Sequence, residues 1–184
     1  QLQSSSDQPN YRKYPSIVAG GLAAVLPEQF AVWSYPKAED DADAASFNMV
    51  NAMLGRIHQS GAIASLKEES RKQVHTGLRI YKERIRRHLP QMTPFYPLGL
   101  PPSMADTMSP VAVGLRDTEK VFVAVWRLSG AAKVSLPNTF GGKVSLLYPA
   151  DLGIKLKCSS RTVEIKFPRP YMAAILEVTR KNNE

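Results

Sequence analysis

The first group in this chain that could do chemistry is a carboxylate close to its start. Asp7 lies in Ser4-Ser5-Ser6-Asp7-Gln8, after the extended stretch Gln1-Leu2-Gln3 and before a helical pattern. Parallel α/β folds collect catalytic groups where a strand ends and feeds a helix, so the position is one where a catalytic carboxylate could stand. The same spacing suits an Asp that caps the next turn. Other chemistries fall away. His58, His75 and His88 have no metal-ligand spacing among them, and Cys158 is the lone cysteine, so they offer no metal site and no intrachain disulfide. Phe140-Gly141-Gly142-Lys143-Val144 misses the phosphate-loop pattern twice: Pro137 stands where the first glycine belongs, and Val144 where Ser or Thr should follow the lysine. There is no Gly-x-Ser-x-Gly elbow for a serine nucleophile.

Two textures must position these residues. Up to about Leu89 the pattern is helical, broken by short apolar strands. Arg12-Lys13 followed by Ile17 to Leu26 mimics a signal peptide but runs into Pro27-Glu28-Gln29 with no clear cleavage site, so it reads as a buried helix. Ala31-Val32-Trp33-Ser34-Tyr35 is a buried-strand candidate, and a helix starting near Glu39-Asp40-Asp41 runs to Leu54, its acids suiting the N-terminal dipole. Arg56-Ile57-His58 reads as a strand. A long helix is expected over Ser65 to Leu89, opened by a Ser65-x-x-Glu68 capping box, with Val74, Leu78, Tyr81, Ile85 and Leu89 as its stripe. His75 and His88 fall on this helix as surface residues. The alternation is that of βα units.

The run Pro90 to Pro102 holds five prolines and a glycine, which reads as a linker or covering loop without regular structure. Beyond it the period becomes two. Segments near 111–116, 120–128, 132–136, 143–148, 153–158, 161–167 and 171–179 read as seven short strands of an antiparallel sandwich or barrel. Trp126 falls among them as packing.

The chain has 184 residues, 43 % of them hydrophobic and 22 % charged, a globular composition. That length is too short for a whole (β/α)₈ barrel, which takes about 250 residues. Because the chain begins at Gln1 and not Met, it reads as processed, trimmed or a fragment. The net charge of +8 is spread out: each half carries 12 basic side chains, against 9 and 7 acidic ones. The densest run, Lys82-Glu83-Arg84-Ile85-Arg86-Arg87, reads as a solvated helix face and not as a nucleic-acid patch. No stretch approaches the roughly 20 apolar residues of a membrane span, so neither nucleic acid nor membrane is expected as a partner.

Several motifs carry a resemblance. Ser6-Asp7-Gln8, Tyr11-Arg12-Lys13-Tyr14-Pro15, Leu26-Pro27-Glu28-Gln29 and Val32-Trp33-Ser34-Tyr35-Pro36 resemble the later barrel strands of glycoside hydrolase family 36, the α-galactosidase-like enzymes. Met49-Val50-Asn51 with Leu54-Gly55-Arg56-Ile57-His58-Gln59-Ser60-Gly61 is similar to their last barrel strand, and Tyr81-Lys82-x-x-Ile85-Arg86 to the final helix. Pro94 to Pro101 resembles the crossing segment, with Tyr96 for a more usual Trp; Gly114-Leu115-Arg116, Val123 to Arg127 and Leu147-Tyr148-Pro149 fit the C-terminal β-domain.

The resemblance implies an α/β plus all-β fold: residues 1–92 as the last βα units of a (β/α)₈ TIM barrel and 93–184 as an antiparallel β-sandwich. It implies a retaining hydrolase of terminal α-linked galactose that uses no metal or cofactor. Asp7 would be its general acid/base, and Trp33 and Tyr35 would stack on the sugar unless they are core. Arg12 would hydrogen-bond sugar hydroxyls or orient Asp7 unless it is a helix-surface cation. His58 would serve as a core or supporting residue. The nucleophile, an Asp after an earlier strand, has no counterpart here, so the chain by itself is expected to be inactive. The alternative is a non-catalytic carbohydrate-binding module, or a homo-oligomer formed through an open sheet edge.

Overall fold

The computed structural model describes residues 2–180, so Gln1 of the expected first strand lies outside the described residues. Three βα units open the chain: β1 (Gln3–Ser4), α1 (Tyr14–Gly21), β2 (Phe30–Ser34), α2 (Ala42–Ala52), β3 (Arg56–Gln59) and α3 (Glu68–Ile80). The strands pair in parallel in the order β1-β2-β3, with Gln3 beside Phe30 and Trp33 beside His58. Local chemistry sets the helix starts. Asp41 is extended at the N-cap of α2, and its carboxylate accepts the Ala44 amide at 2.8 Å.

The expected capping box of α3 does not form. Ile63–Ser65 closes a turn of its own, and α3 begins at Glu68 after Lys67 without a side-chain cap. At its other end α3 widens into a π turn over Tyr81–Ile85, closed by the Arg86 amide on the Tyr81 carbonyl at 2.8 Å. His88 is not a surface residue. Only 8 % of it is exposed, and its Nδ1 lies 2.9 Å from an Asp117 carboxylate oxygen. Arg87 Nε lies 3.2 Å from His88 Nε2, so the ring is held from both sides.

The second half is antiparallel throughout. Its strands are β4 (Thr93–Phe95), β5 (Val111–Arg116), β6 (Lys120–Arg127), β7 (Lys133–Pro137), β8 (Gly142–Tyr148), β9 (Lys155–Cys158), β10 (Thr162–Lys166) and β11 (Met172–Arg180). One sheet has the order β4-β5-β6-β11-β8 and the other β7-β10-β9. The proline-rich run is therefore not free of regular structure. Thr93–Phe95 pairs with Arg116–Gly114, and Pro94 is tolerated because β4 is the edge strand. Gly114 leaves room for the Phe95 ring, which a Cβ at that position would force to shift.

The apolar run of β6 is explained by burial on both faces. Val121, Val123 and Val125 pack toward the three-stranded sheet with Val163, Ile165 and Leu176. Phe122, Ala124 and Trp126 face the helices, in the same core as Tyr14, Phe47, Val50 and Leu54. The layers run parallel sheet, helices, five-stranded sheet, three-stranded sheet. One core thus joins the two halves across residues 92 and 93, and polar contacts stitch the same junction. Trp126 Nε1 donates to Asn51 Oδ1 at 2.9 Å inside the core, and the Asn51 amide nitrogen donates to the Tyr11 carbonyl at 3.1 Å. Glu177, 3 % exposed, accepts from Arg84 at 2.6 Å and Lys120 at 3.2 Å.

Asn51→Ala leaves the buried Trp126 N–H without a partner, while the Tyr11 carbonyl keeps the Tyr14 amide. A loss of about 1–3 kcal/mol is expected in urea unfolding, with one cooperative transition retained because the core is shared. A second expectation concerns pH. Burial raises the Asp117 carboxyl, but hydrogen bonds from the Lys120 and Glu119 amides and from His88 outweigh it and hold the group below its ordinary range. Its contribution is present above the unfolded carboxylate pKa and is lost as pH falls through the lower folded value. Acid titrations of unfolding free energy should therefore fall less steeply in Asp117→Asn than in the wild-type chain.

Candidate functional site

All three parallel strands point their C-terminal ends the same way, and the segments that follow them meet around a depression of about 560 Å³. Asp7 comes from the end of β1, Tyr35, Pro36, Lys37 and Glu39 from the end of β2, and Gly61 from the end of β3. Open parallel sheets bind ligands at this end, where successive strands deliver loops to one place.

Each loop is pinned from below. The Tyr14 hydroxyl donates a short hydrogen bond to the Ser6 carbonyl, fixing the residue before Asp7. Ser6, Gln8 and Asn10 then carry the chain into α1 through local side-chain bonds. Asn10, not Asp7, caps the turn at Tyr11–Lys13. The Asp7 carboxylate is exposed and makes no hydrogen bond among the described residues, so it is free to act on a ligand. The β2 loop is held by Asn48 of α2, which accepts the Tyr35 amide at 3.4 Å, and by Asp40, which accepts the Lys37 amide at 2.8 Å. Burial raises the Asp40 carboxyl above its usual range, against the pull of that amide bond. Gly61 sits at φ 88° against the Pro36 carbonyl, a backbone state and a spacing that a side chain would not permit.

The aromatic residues follow from strand alternation. Phe30, Val32 and Ser34 of β2 face the helices, where the first two join the core and Ser34 contacts Met49. Trp33 and Tyr35 therefore share the opposite face of the sheet. Their rings stack at 5.4 Å and 17°, and His58 of β3 meets Trp33 edge-on at 5.0 Å. Trp33 Nε1 donates to Ser4 Oγ at 3.0 Å, which ties this aromatic ledge to β1. Trp33 is half-buried, packed against the core without being sealed in it. Burial raises the Tyr35 hydroxyl pKa, and the charge of Asp7 adds to it, so the phenol stays protonated as a donor.

Of the residues expected from sequence, Asp7 and Tyr35 line one depression and Trp33 backs it through its stack on Tyr35. Arg12 does not join them. Its guanidinium lies over the Tyr171 ring at 4.1 Å, and its Nε donates to the Tyr11 hydroxyl at 3.2 Å. Lys37 and Glu39 were missed; the only signal was their place just after a strand that ends in Tyr35-Pro36. Among the described residues no cluster of His, Cys, Asp or Glu could hold a metal ion. No helix among them is long and apolar enough to cross a membrane.

No family model matches the chain, and no curated protein matches it significantly. Solved structures do. The galactosidase domain of the α-galactosidase-sucrose kinase AgaSK superposes with a TM-score of 0.67 at 16 % identity, over 96 % of this chain and 25 % of that one. The family 36 α-galactosidase AgaA A355E from Geobacillus stearothermophilus, in complex with 1-deoxygalactonojirimycin, superposes with a TM-score of 0.62 at 15 % identity, over 95 % and 25 %. The chain thus has the fold of the C-terminal region of family 36 α-galactosidases and spans about a quarter of their length.

The ledge makes a spectroscopic prediction. Trp126 is fully buried and Trp33 is not, so acrylamide should quench only part of the tryptophan emission. In Trp33→Phe the remaining emission should resist quenching; equal quenching before and after would mean that Trp33 is also sealed.

Proposed function

We propose that the chain is the closing part of an α-galactosidase-type retaining glycoside hydrolase: the last three βα units of a (β/α)₈ barrel with the β-sandwich packed on them. The observation that carries this reading is the convergence of an unengaged Asp7 and the Tyr35–Trp33 ledge at the C-terminal ends of three parallel strands. The shared fold supports it.

In this reading Asp7 is the general acid/base. It gives its proton to the leaving glycosidic oxygen as the sugar C1–O bond breaks, then takes a proton from the water that releases the sugar. Its exposure beside Tyr35 and Lys37 lets a leaving group and then water reach it. The ledge offers an apolar ring face to the sugar, and the protonated Tyr35 hydroxyl can donate to a sugar oxygen. A retaining mechanism needs a nucleophilic carboxylate about 5–5.5 Å from the acid/base. That group comes from a strand outside this sequence, and neither Glu39 nor Asp40 is assigned to replace it. Arg12, engaged by Tyr171, is given no part in this reading.

Two measurements test the reading. The purified 184-residue chain should not turn over an aryl α-galactoside, whereas measurable turnover would place a nucleophile within it. Galactose at millimolar concentration should change the tryptophan emission, and Trp33→Ala should abolish the change. No response in the wild-type chain would leave the ledge as packing and favour the scaffold reading, in which the open edges of the parallel sheet serve assembly alone.

A further inference from the structure

The opposite end of the parallel sheet carries a second, differently charged depression of about 340 Å³. Arg56, which opens β3, meets Lys82, Arg86 and Arg87 of the segment after α3 there, with Glu28 as the one carboxylate. The π turn at Tyr81–Ile85 brings residues five apart onto one side, so Lys82 and Arg87 can join Arg86 around a single opening. Their neighbours are treated differently. Arg79 pairs with Glu83 at 3.0 Å and Arg84 with Glu177 at 2.6 Å. Among the described residues, none of the four cations of the depression has a carboxylate within ion-pair distance, Glu28 included.

Like charges four apart on a helix, as in Lys82 and Arg86, oppose folding, and a concave site concentrates that repulsion. Two of the guanidinium groups are nevertheless held in place. Arg56 Nε donates to the Glu28 carbonyl at 2.8 Å and Arg87 Nε to the His88 ring at 3.2 Å. Both bonds use Nε alone, so the terminal nitrogens of each fork keep their donors for a ligand. His88 is itself fixed by Asp117, so the anchor of Arg87 is rigid. Oriented guanidinium forks with unspent donors, backed by a lysine, match the oxygens of phosphate groups.

We propose that this depression binds a small multiply charged phosphate compound, at the end of the sheet away from Asp7. Four cations facing one carboxylate suit a diphosphate or a bisphosphorylated sugar better than a single phosphate. The depression shares no residue with the one around Asp7.

Calorimetric titration of the 184-residue chain at low ionic strength tests this, with inorganic pyrophosphate and a hexose bisphosphate as separate probes. Binding of either is expected, and the tighter of the two identifies the source. Lys82→Gln with Arg86→Gln, both exposed positions, should weaken it by about tenfold or more while leaving circular dichroism unchanged. Glu28→Gln should tighten it, since it removes the one opposing charge. Lys155→Gln with Lys157→Gln, on the far three-stranded sheet, should leave it unaltered. No binding of either probe, or equal weakening by both double variants, would overturn the proposal and reduce the patch to diffuse surface charge.

Discussion

A buried side-chain amide holds the two halves of this molecule in one orientation. Asn51 stands in the last turns of α2, a helix whose residues from Ala44 to Ala52 are all buried, and it joins three elements at once. It accepts from Trp126 of β6 and donates to the carbonyl of Tyr11, at the entrance to α1. Hydrophobic burial drives these layers together but is non-directional; the amide has directions, and it selects one registration of the helices on the five-stranded sheet. Everything functional inherits that registration. The same helix presents Asn48 to the Tyr35 amide, so the β2 loop that lines the Asp7 depression is anchored to a helix packed on the five-stranded sheet.

The parallel sheet has an unusual situation within this arrangement. Parallel strands are ordinarily covered on both faces, yet here the helices cover one face while the other carries Trp33, Tyr35 and His58 at intermediate exposure. The sheet thus has one face of aromatic rings at intermediate exposure, with β1 and β3 as its edge strands. Its two ends have separate characters. The C-terminal end gathers Asp7 with aromatic rings, and the N-terminal end gathers Arg56, Lys82, Arg86 and Arg87. Strand polarity makes the separation possible, because all starts lie at one end and all finishes at the other.

Most of the fold was legible from periodicity. All seven strands expected beyond residue 110 are present to within two or three residues, because alternating burial leaves a period-two trace in every one. Asp41 could be read as a helix start because a cap is a local event. What escaped was settled at long range. β4 sits in a proline-rich run and is a strand only because an edge strand need not donate at every position. His88 looked like one more polar residue on a basic helix, but a partner 29 residues away buries it. The capping box of Ser65 and Glu68 lost to a separate turn at Ile63–Ser65. The candidate site was half legible: Asp7 stood out by its place after a strand, whereas Lys37 and Glu39 lie in a loop whose course is set by contacts with Asp40 and Asn48 and leaves no periodic trace.

The central claim is that Asp7 serves as acid/base, and the stereochemistry of rescue tests it most directly. In Asp7→Ala, assembled with the strands that carry the nucleophile, an aryl α-galactoside with a good leaving group should still form the galactosyl enzyme and then stall. Azide should restore turnover by attacking that intermediate, yielding the α-galactosyl azide with retained configuration. A β-galactosyl azide would make Asp7 the nucleophile, and turnover in Asp7→Ala equal to that of the unsubstituted enzyme without azide would deny it any part in the chemistry.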